Sequence, residues 1–140
     1  MSALTPVPLS APVASAFAPQ LSNVAVFGRW LNGTLATCYA DSAARFGLEL
    51  AAVELFTNIV RHGHPRSAIR VVVRCAAQVA EIELCDDAAP CNMARLDGDL
   101  PVDAHSPAGR GIFLVRRMTD SFRYRRTLDG NTHTLSKRLA

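Results

Sequence analysis

The sequence predicts an α+β domain, a two-layer sandwich with helices on one face of a mixed, mostly antiparallel sheet. Apolar residues recur at helical spacing in the first half of the chain, and two pairs of strand-like segments follow. The predicted order is helix, helix, strand, strand, long loop, helix, strand, strand, and this grouping is typical of α+β domains. With 140 residues, 49% of them hydrophobic, the chain can form one domain with a full core.

Composition excludes several classes of function. The net charge of +3 is small, and no aromatic interleaving or binding motif accompanies the arginines, so we expect no nucleic-acid partner. No apolar run reaches the ~18 residues that a membrane span requires, and no signal peptide is recognisable. The cysteines lack C-x-x-C spacing, which disfavours structural zinc and favours reduced thiols in a cytoplasmic protein. They are Cys38, Cys75, Cys85 and Cys91.

The first 19 residues are rich in Ala, Pro and Ser, and they predict a flexible arm or a short edge strand around residues 7–9. Residues 20–140 form the predicted domain. Its first helix falls within residues 20–38, where four apolar residues stand at helical spacing with Trp30 alongside. These are Val24, Phe27, Leu31 and Leu35. A polar patch at Asp41–Arg45 and Gly47 then separates this helix from the next.

The central helix is predicted over residues 48–64. Glu54, Asn58 and His62 are spaced i, i+4, i+8, so they share one face, and Gly63 marks the helix stop. The opposite arc is apolar and predicts packing on a core. It contains Leu48, Ala52, Leu55, Phe56, Ile59 and Val60. The polar row is therefore either an ordinary solvated face or the wall of a site.

Two hairpins are predicted. Residues 68–74 are rich in β-branched side chains and residues 79–85 alternate apolar with polar, joined by a short link. Near the end of the chain, residues 121–128 and 132–139 flank Asp129-Gly130, the signal for a type I′ turn with positive φ at both central positions.

The segment 91–108 between the hairpins has no periodicity. A loop of this length in a compact domain is typical of a functional lid. It leads to Gly109, Arg110 and Gly111, which precede a predicted helix over residues 112–118. Glycines at a helix N-terminus allow backbone N–H groups to approach a phosphate, and Arg110 offers a second contact to that anion. A tight turn out of the loop is the plain alternative.

Polar residues on the central helix and after the second strand are candidates for catalysis and for ligand binding. Glu54 is a candidate general base, and Asn58 can supply a carbonyl oxygen to Mg²⁺. His62 is a candidate for contact with a phosphate or for capping the helix end. Asp86 can accept a hydrogen bond from an exocyclic amine such as that of adenine, and the small Ala88 leaves room for a flat ring. An acidic strand-to-loop corner without a ligand is the alternative for Asp86.

In combination, these motifs resemble the N, G1 and G2 boxes of the GHKL ATPases, whose nucleotide site is the Bergerat fold. The boxes are Glu54-x-x-x-Asn58, Asp86-x-Ala88-x-Pro90 and the Gly-Arg-Gly sequence at residues 109–111. They occur in the family's order and approximate spacing. The compact length is most similar to that of the anti-sigma-factor serine/threonine kinases of bacterial stress and sporulation switches. The resemblance covers about residues 45–140.

The resemblance implies a role for each matched residue. Glu54 would be the catalytic base and Asn58 the Mg²⁺ ligand. Asp86 would bind the adenine amino group, and Thr134 on the last strand would support the adenine. The phosphates of ATP would be held by Gly109, Arg110 and Gly111 beneath a lid formed by residues 92–108.

The implied activity is transfer of the ATP γ-phosphoryl group to a serine of a STAS-domain antagonist. The implied second activity is sequestration of a sigma factor or a similar regulator, and a homodimer is implied as well. Ala88 departs from the family, which usually has glycine there, and its methyl group is expected to weaken nucleotide binding. The alternative is therefore a nucleotide-impaired module that acts only by protein contacts. The ATP-binding half of a histidine kinase is disfavoured, since 140 residues leave no room for a dimerisation helix pair.

Overall fold

The structure is a computed structural model, and it describes residues 12–38, 42–76, 79–90 and 114–138. Two long helices pack on one face of a five-stranded sheet, and this arrangement confirms the predicted α+β fold. The sheet order is β1-β2-β3-β5-β4, with every neighbouring pair antiparallel. The elements are β1 (Val13–Phe17), α1 (Val24–Leu35), α2 (Ser42–Asn58), β2 (Ile69–Ala76), β3 (Val79–Asp86), β4 (Ser121–Arg126) and β5 (Asn131–Arg138).

Shorter helical segments complete the description. A 3-10 turn, Leu21–Asn23, precedes α1, and a π-helical turn, Ile59–Gly63, follows α2. Residues 114–118 are helical, within the segment 112–118 that the sequence predicts. Nowhere in the described segments is a helix both long and apolar enough to cross a membrane.

The core lies between the helices and the sheet face that they cover. Alternate residues of the central strands point into it, and apolar residues of both helices pack against them. Phe27 on α1 and Phe56 on α2 stack with ring centroids 4.7 Å apart, and Phe17 from β1 meets the ring of Phe27 edge-on. Phe27, Leu31 and Leu35 are fully buried, as the helical spacing predicts.

Helix α2 begins earlier than expected. It starts at Ser42, so residues 42–47 of the predicted polar patch form its first turns. Ala43, Ala44 and Arg45 are good helix formers, and tertiary packing extends the helix through them. Gly47 is buried in the helix interior, where an added β-carbon would lie 3.5 Å from the sulfur of Met118. An alanine at this position would therefore make an ordinary van der Waals contact with Met118.

The end of α2 also differs from the prediction. The helix changes into a π-helical turn after Asn58, and the chain leaves it at His64, whose φ of 52° is left-handed. The left-handed cap is therefore His64, and Gly63 is the last residue of the turn. The wider turn changes the angular spacing of the residues that follow Asn58.

Both predicted hairpins are present. Strands β2 and β3 pair in antiparallel register, as do β4 and β5. The loop between β4 and β5 has four residues, 127–130, so Asp129 and Gly130 do not form the predicted two-residue type I′ turn. The loop is closed by the Thr127 N–H, which donates to the Gly130 carbonyl at 2.7 Å. Gly130 has a positive φ of 156°, whereas Asp129 does not have a positive φ.

The cysteines require a further correction. Cys38, just beyond α1, is joined to Cys75 on β2 by a disulfide, whereas the sequence predicts reduced thiols. Spacing along the chain gave no indication of this pair, because the fold brings together residues 37 positions apart. Cys85 is a half-buried free thiol, and Cys91 lies outside the described residues.

The N-terminal segment contributes an edge strand. Val13–Phe17 pairs with β2, with Phe17 opposite Ile69. The strand expected around residues 7–9 lies outside the described residues. The division into an arm, 1–19, and a domain, 20–140, remains a prediction.

Candidate functional site

The last residue of β3, Asp86, has a buried carboxylate that is only 1% exposed. Its Oδ1 accepts hydrogen bonds from the backbone N–H of Ala88 and from Asn131 Nδ2, each at 2.9 Å. Its Oδ2 lies 3.1 Å from His133 Nε2. Asn131 lies opposite Asp86 in the β3–β5 register, and His133 is two residues further along β5. The antiparallel pairing of β3 with β5 therefore builds the surroundings of this carboxylate.

These contacts determine the charge of Asp86. Burial raises the pKa of the carboxyl, but the hydrogen bonds from His133, Asn131 and Ala88 outweigh it, so the pKa lies below its ordinary value. The carboxylate is thus ionised at neutral pH and can only accept hydrogen bonds. His133 Nε2 must therefore be the donor in the contact with Oδ2. A carboxylate offers about four acceptor positions, and three are used by these contacts.

The loop after Asp86 is held by hydrogen bonds from residues of both β4 and β5. Asn131 Nδ2 donates to the carbonyls of Ala88 and Ala89 at 3.2 and 3.0 Å, and Arg126 Nη1 donates to the Ala88 carbonyl at 2.7 Å. The Tyr124 hydroxyl donates to Asn131 Oδ1 and so fixes the orientation of that amide. The β4–β5 hairpin thereby gives the loop a defined conformation.

Asp87 ties the same loop to the segment that follows α2. Its carboxylate accepts from the backbone N–H of Arg66 at 2.7 Å and of Ser67 at 3.1 Å. These hydrogen bonds lower the pKa of Asp87 below its ordinary value. The segment after the π-helical turn and the acidic corner are thus joined by hydrogen bonds.

Ala88 is the residue that departs from the family pattern. It is 5% exposed, and its β-carbon would lie 3.2 Å from a β-carbon placed on Gly63. The methyl group therefore packs against the π-helical turn, where a glycine leaves space for it. Pro90, at the end of the described loop, is exposed.

Glu54 and Asn58 lie one turn apart on α2 and are both half-buried. Asn58 Nδ2 is buried and has no hydrogen-bond partner among the described residues. Since amide N and O atoms are nearly interchangeable in shape, this head group could equally present its oxygen to a ligand. His62 is exposed and lies in the π-helical turn, to which the α-helical spacing used to predict one row with Glu54 and Asn58 does not apply.

Thr134 does not join this site. Its partners across the sheet are Glu83 and Arg123, whereas Asp86 is paired with Asn131. Residues at odd and even positions of a strand point to opposite faces, so Thr134 faces away from Asp86. His133 and Asn131 occupy the face on which Thr134 was expected.

Sequence reasoning missed four residues that surround the acidic corner. They are Tyr124, Arg126, Asn131 and His133. The available signal was the period of two along β5, since Leu135 is an apolar core residue and His133 and Asn131 share its face. The predicted phosphate-binding residues Gly109, Arg110 and Gly111, and the lid 92–108, lie outside the described residues.

The described residues fit a nucleotide with its metal ion. Asp86 offers an ionised acceptor to an exocyclic amine, and the buried amide of Asn58 has unused hydrogen-bonding capacity. Mg²⁺ in nucleotide sites is commonly held by one or two protein oxygens, with the remaining ligands from water and phosphate. A single amide oxygen is therefore a sufficient protein contribution.

Comparison with solved structures supports the same fold. The crystal structure of the RsbU and RsbW domains of Rv1364c from Mycobacterium tuberculosis is 18% identical to this chain and superposes with a TM-score of 0.69. The match covers 93% of this chain and 32% of that protein. The histidine kinase domain of the blue-light-activated kinase EL346 from Erythrobacter litoralis is 14% identical with a TM-score of 0.55, and the match covers 84% and 60% of the two chains.

A third similar structure is the histidine kinase AdeS of Acinetobacter baumannii, 12% identical with a TM-score of 0.54, over 91% of this chain and 68% of that one. This chain thus spans about a third of the Rv1364c structure and less than two thirds of the EL346 one. No curated protein shows significant sequence similarity to it. The family model described as histidine kinase-like ATPase domain matches residues 17–137. The chain belongs to the histidine kinase-like ATPase domain family.

Proposed function

We propose that this chain binds ATP with Mg²⁺ and transfers the γ-phosphoryl group to a serine of a STAS-domain antagonist protein. The observation that carries the nucleotide part is the ionised carboxylate of Asp86, which retains one acceptor position, at the start of the loop whose Ala88 lies against Gly63 of the π-helical turn. In its second role the protein sequesters a sigma factor or analogous regulator until the antagonist displaces it. The similarity in fold to a protein that contains an RsbW domain supports this choice of partners.

Each proposed role uses a residue already named. Asp86 accepts a hydrogen bond from the adenine amino group through its remaining acceptor position. Glu54 would take the proton of the serine hydroxyl as the serine oxygen bonds to the γ-phosphorus and ADP leaves, and Asn58 would hold the Mg²⁺. The metal ion would neutralise charge on the phosphate oxygens. Gly109, Arg110, Gly111 and His62 contact the phosphates.

The setting of this activity is proposed to be the cytoplasm, and the working form a homodimer. Both proposals rest on the resemblance to the bacterial partner-switching kinases. Neither nucleic acid nor a membrane has a part in the proposed function.

A nucleotide-impaired binding module is the second candidate. It is favoured by the hydrogen bonds that Asp86 already makes within the protein, since both carboxylate oxygens have protein partners and the side chain is 1% exposed. Ala88 gives it less support, because the methyl group packs against Gly63. The two candidates differ in one measurable property, the affinity for adenine nucleotides.

Calorimetric titration with ADP and ATP, with and without Mg²⁺, tests the proposal. The wild-type protein is expected to bind both nucleotides, more tightly with Mg²⁺, and Asp86→Asn is expected to lose at least about tenfold in affinity. Asp129→Asn is the matched control, because it makes the same change at an exposed position in the β4–β5 loop. No heat with either nucleotide from folded wild-type protein would select the binding module.

A further inference from the structure

His133 is placed to control the chemistry of Asp86. Its side chain is 1% exposed, and its Nε2 donates to Asp86 Oδ2 at 3.1 Å. The ring of Tyr124, opposite on β4, lies 5.2 Å from the imidazole ring, centroid to centroid. This side chain is therefore a buried donor aimed at the acceptor proposed for the base.

The ionisation state of Asp86 decides which purine it can bind. Adenine carries an exocyclic amine, a donor, at the position where guanine carries the acceptor O6. An ionised carboxylate only accepts hydrogen bonds, so it suits the amine and opposes the guanine oxygen. A protonated carboxyl can donate and would bind O6 instead. Loss of a donor to a buried carboxylate favours the protonated form, because burial disfavours charge.

Besides His133, the titratable groups of the neighbouring strand and loop make their hydrogen bonds elsewhere, while Asn131 and the Ala88 N–H, which do not titrate, donate to Oδ1. From β4, Arg126 donates to the Ala88 carbonyl and Tyr124 to Asn131. The Asp87 carboxylate accepts from the backbone of Arg66 and Ser67. Glu54, the acidic residue that α2 contributes to the proposed site, has no described hydrogen bond to Asp86. His133 is the one titratable side chain with a described hydrogen bond to the Asp86 carboxylate.

We infer that His133 is a positioning residue for purine selection: by donating to Asp86 Oδ2, it keeps this carboxylate an acceptor and so favours adenine over guanine nucleotides. The inference rests on the proposed nucleotide function. His133 itself need not touch the nucleotide, since it acts through Asp86.

Two substitutions separate this role from simple packing. His133→Gln places an amide nitrogen near the former Nε2 position and retains the donor, whereas His133→Leu keeps similar bulk without a donor. The titration of the Asp86 carboxyl carbon, followed by NMR in the nucleotide-free protein, is the first measurement. We expect the midpoint to rise in His133→Leu and to stay near the wild-type value in His133→Gln.

The second measurement is the affinity for ADP and GDP at pH values between about 5 and 8. The wild-type ADP preference is expected to fall about tenfold in His133→Leu, most strongly at the acidic end, and to return in His133→Gln. Should His133→Leu fail to fold, His133→Asn serves as the variant without the donor, because its shorter amide does not reach Oδ2.

The outcomes are distinguishable. If the variant without the donor keeps both the wild-type carboxyl titration and the wild-type ADP preference, the inference is overturned while the proposed nucleotide function stands. If folded wild-type protein binds neither ADP nor GDP, the proposed function is overturned and purine selection with it. A raised carboxyl midpoint together with a reduced ADP preference supports the inference.

Discussion

Gly130 lies against the backbone of Asp86 so closely that no side chain fits between them. A β-carbon built on Gly130 would be 1.9 Å from the Asp86 carbonyl oxygen and 2.9 Å from the Asp87 α-carbon. The turn before β5 and the acidic corner after β3 are thereby fixed relative to each other. The position of the proposed base-binding carboxylate depends on this contact.

Gly130→Ala is expected to destabilise the protein by about 3 kcal/mol or more, because the close approach to a backbone carbonyl must be broken and the φ of 156° becomes strained. Urea denaturation measures the loss. Gly33→Ala is the matched control, since apart from its chain neighbours and the backbone of its own helix no described atom lies within 4 Å of the added carbon. At that exposed helical position the same change should stabilise by about 0.5–1 kcal/mol. Equal effects at the two glycines would contradict the close approach.

The pairing of Gly63 with Ala88 predicts a coupling between two substitutions. Gly63→Ala alone should cost about 1 kcal/mol, because the new methyl group would lie 3.2 Å from the Ala88 β-carbon. In an Ala88→Gly background the same change should cost less, or stabilise, since the obstructing methyl group is gone. A double-mutant cycle by urea denaturation should give a coupling of about 1 kcal/mol. Strictly additive effects would show that the two residues do not contact each other.

Stability should depend on pH through Asp86. Its pKa is lower in the folded protein than its ordinary value, so the unfolded chain binds the proton more readily. The stabilisation is complete above the unfolded-state pKa of about 3.9 and is lost as the pH falls through the lower folded-state pKa. The difference in melting temperature between the wild type and Asp86→Asn should therefore be smallest at acidic pH. Asp87→Asn is the control for the second carboxyl with a lowered pKa. A difference in melting temperature that grows as the pH falls would contradict the expected loss of stabilisation in acid.

Reduction of the Cys38–Cys75 disulfide should lower stability. The bond joins residues 37 positions apart. Chain-entropy reasoning for a loop of that length gives up to about 4 kcal/mol. Denaturation with and without a thiol reductant measures the effect, and Cys38→Ser should match the reduced protein. Cys85→Ser, which removes the free thiol, should leave the response to reductant unchanged. If the oxidised and reduced proteins unfold at the same urea concentration, the expected stabilisation by this disulfide is wrong.

Glu54→Gln is expected to preserve nucleotide affinity and to abolish phosphoryl transfer to a STAS partner, because the amide cannot take the serine proton. Transfer is followed with radiolabelled ATP, and nucleotide affinity by calorimetry. Glu49→Gln, on the same helix but paired with Asn32 and Arg45, is the control. Phosphoryl transfer at the wild-type rate by Glu54→Gln would remove the base assignment.

Local patterns were sufficient for much of the fold. The helical spacing of Phe27, Leu31 and Leu35 identified α1, because a helix on a core buries one face. A run rich in β-branched residues identified β2, and alternation of apolar and polar residues identified the other hairpin strands. The limits of elements were less predictable. Helix α2 starts at Ser42, inside a segment that the sequence predicts as a polar connection, and the turn that contains His62 is π-helical instead of α-helical. Packing on the sheet, which local patterns do not give, decides where each helix begins and ends.

For the site, local patterns identify the residue types: a carboxylate after a strand at Asp86 and an amide one turn after Glu54. The surroundings of these residues depend on how distant strands pair. The register of β5 against β3 brings Asn131 and His133 to Asp86 and turns Thr134 away. A shift of one residue in that register would exchange the two faces, and local preference along β5 does not fix it. The register is fixed by the pairing of strands that are distant in sequence and that pack against the same helices.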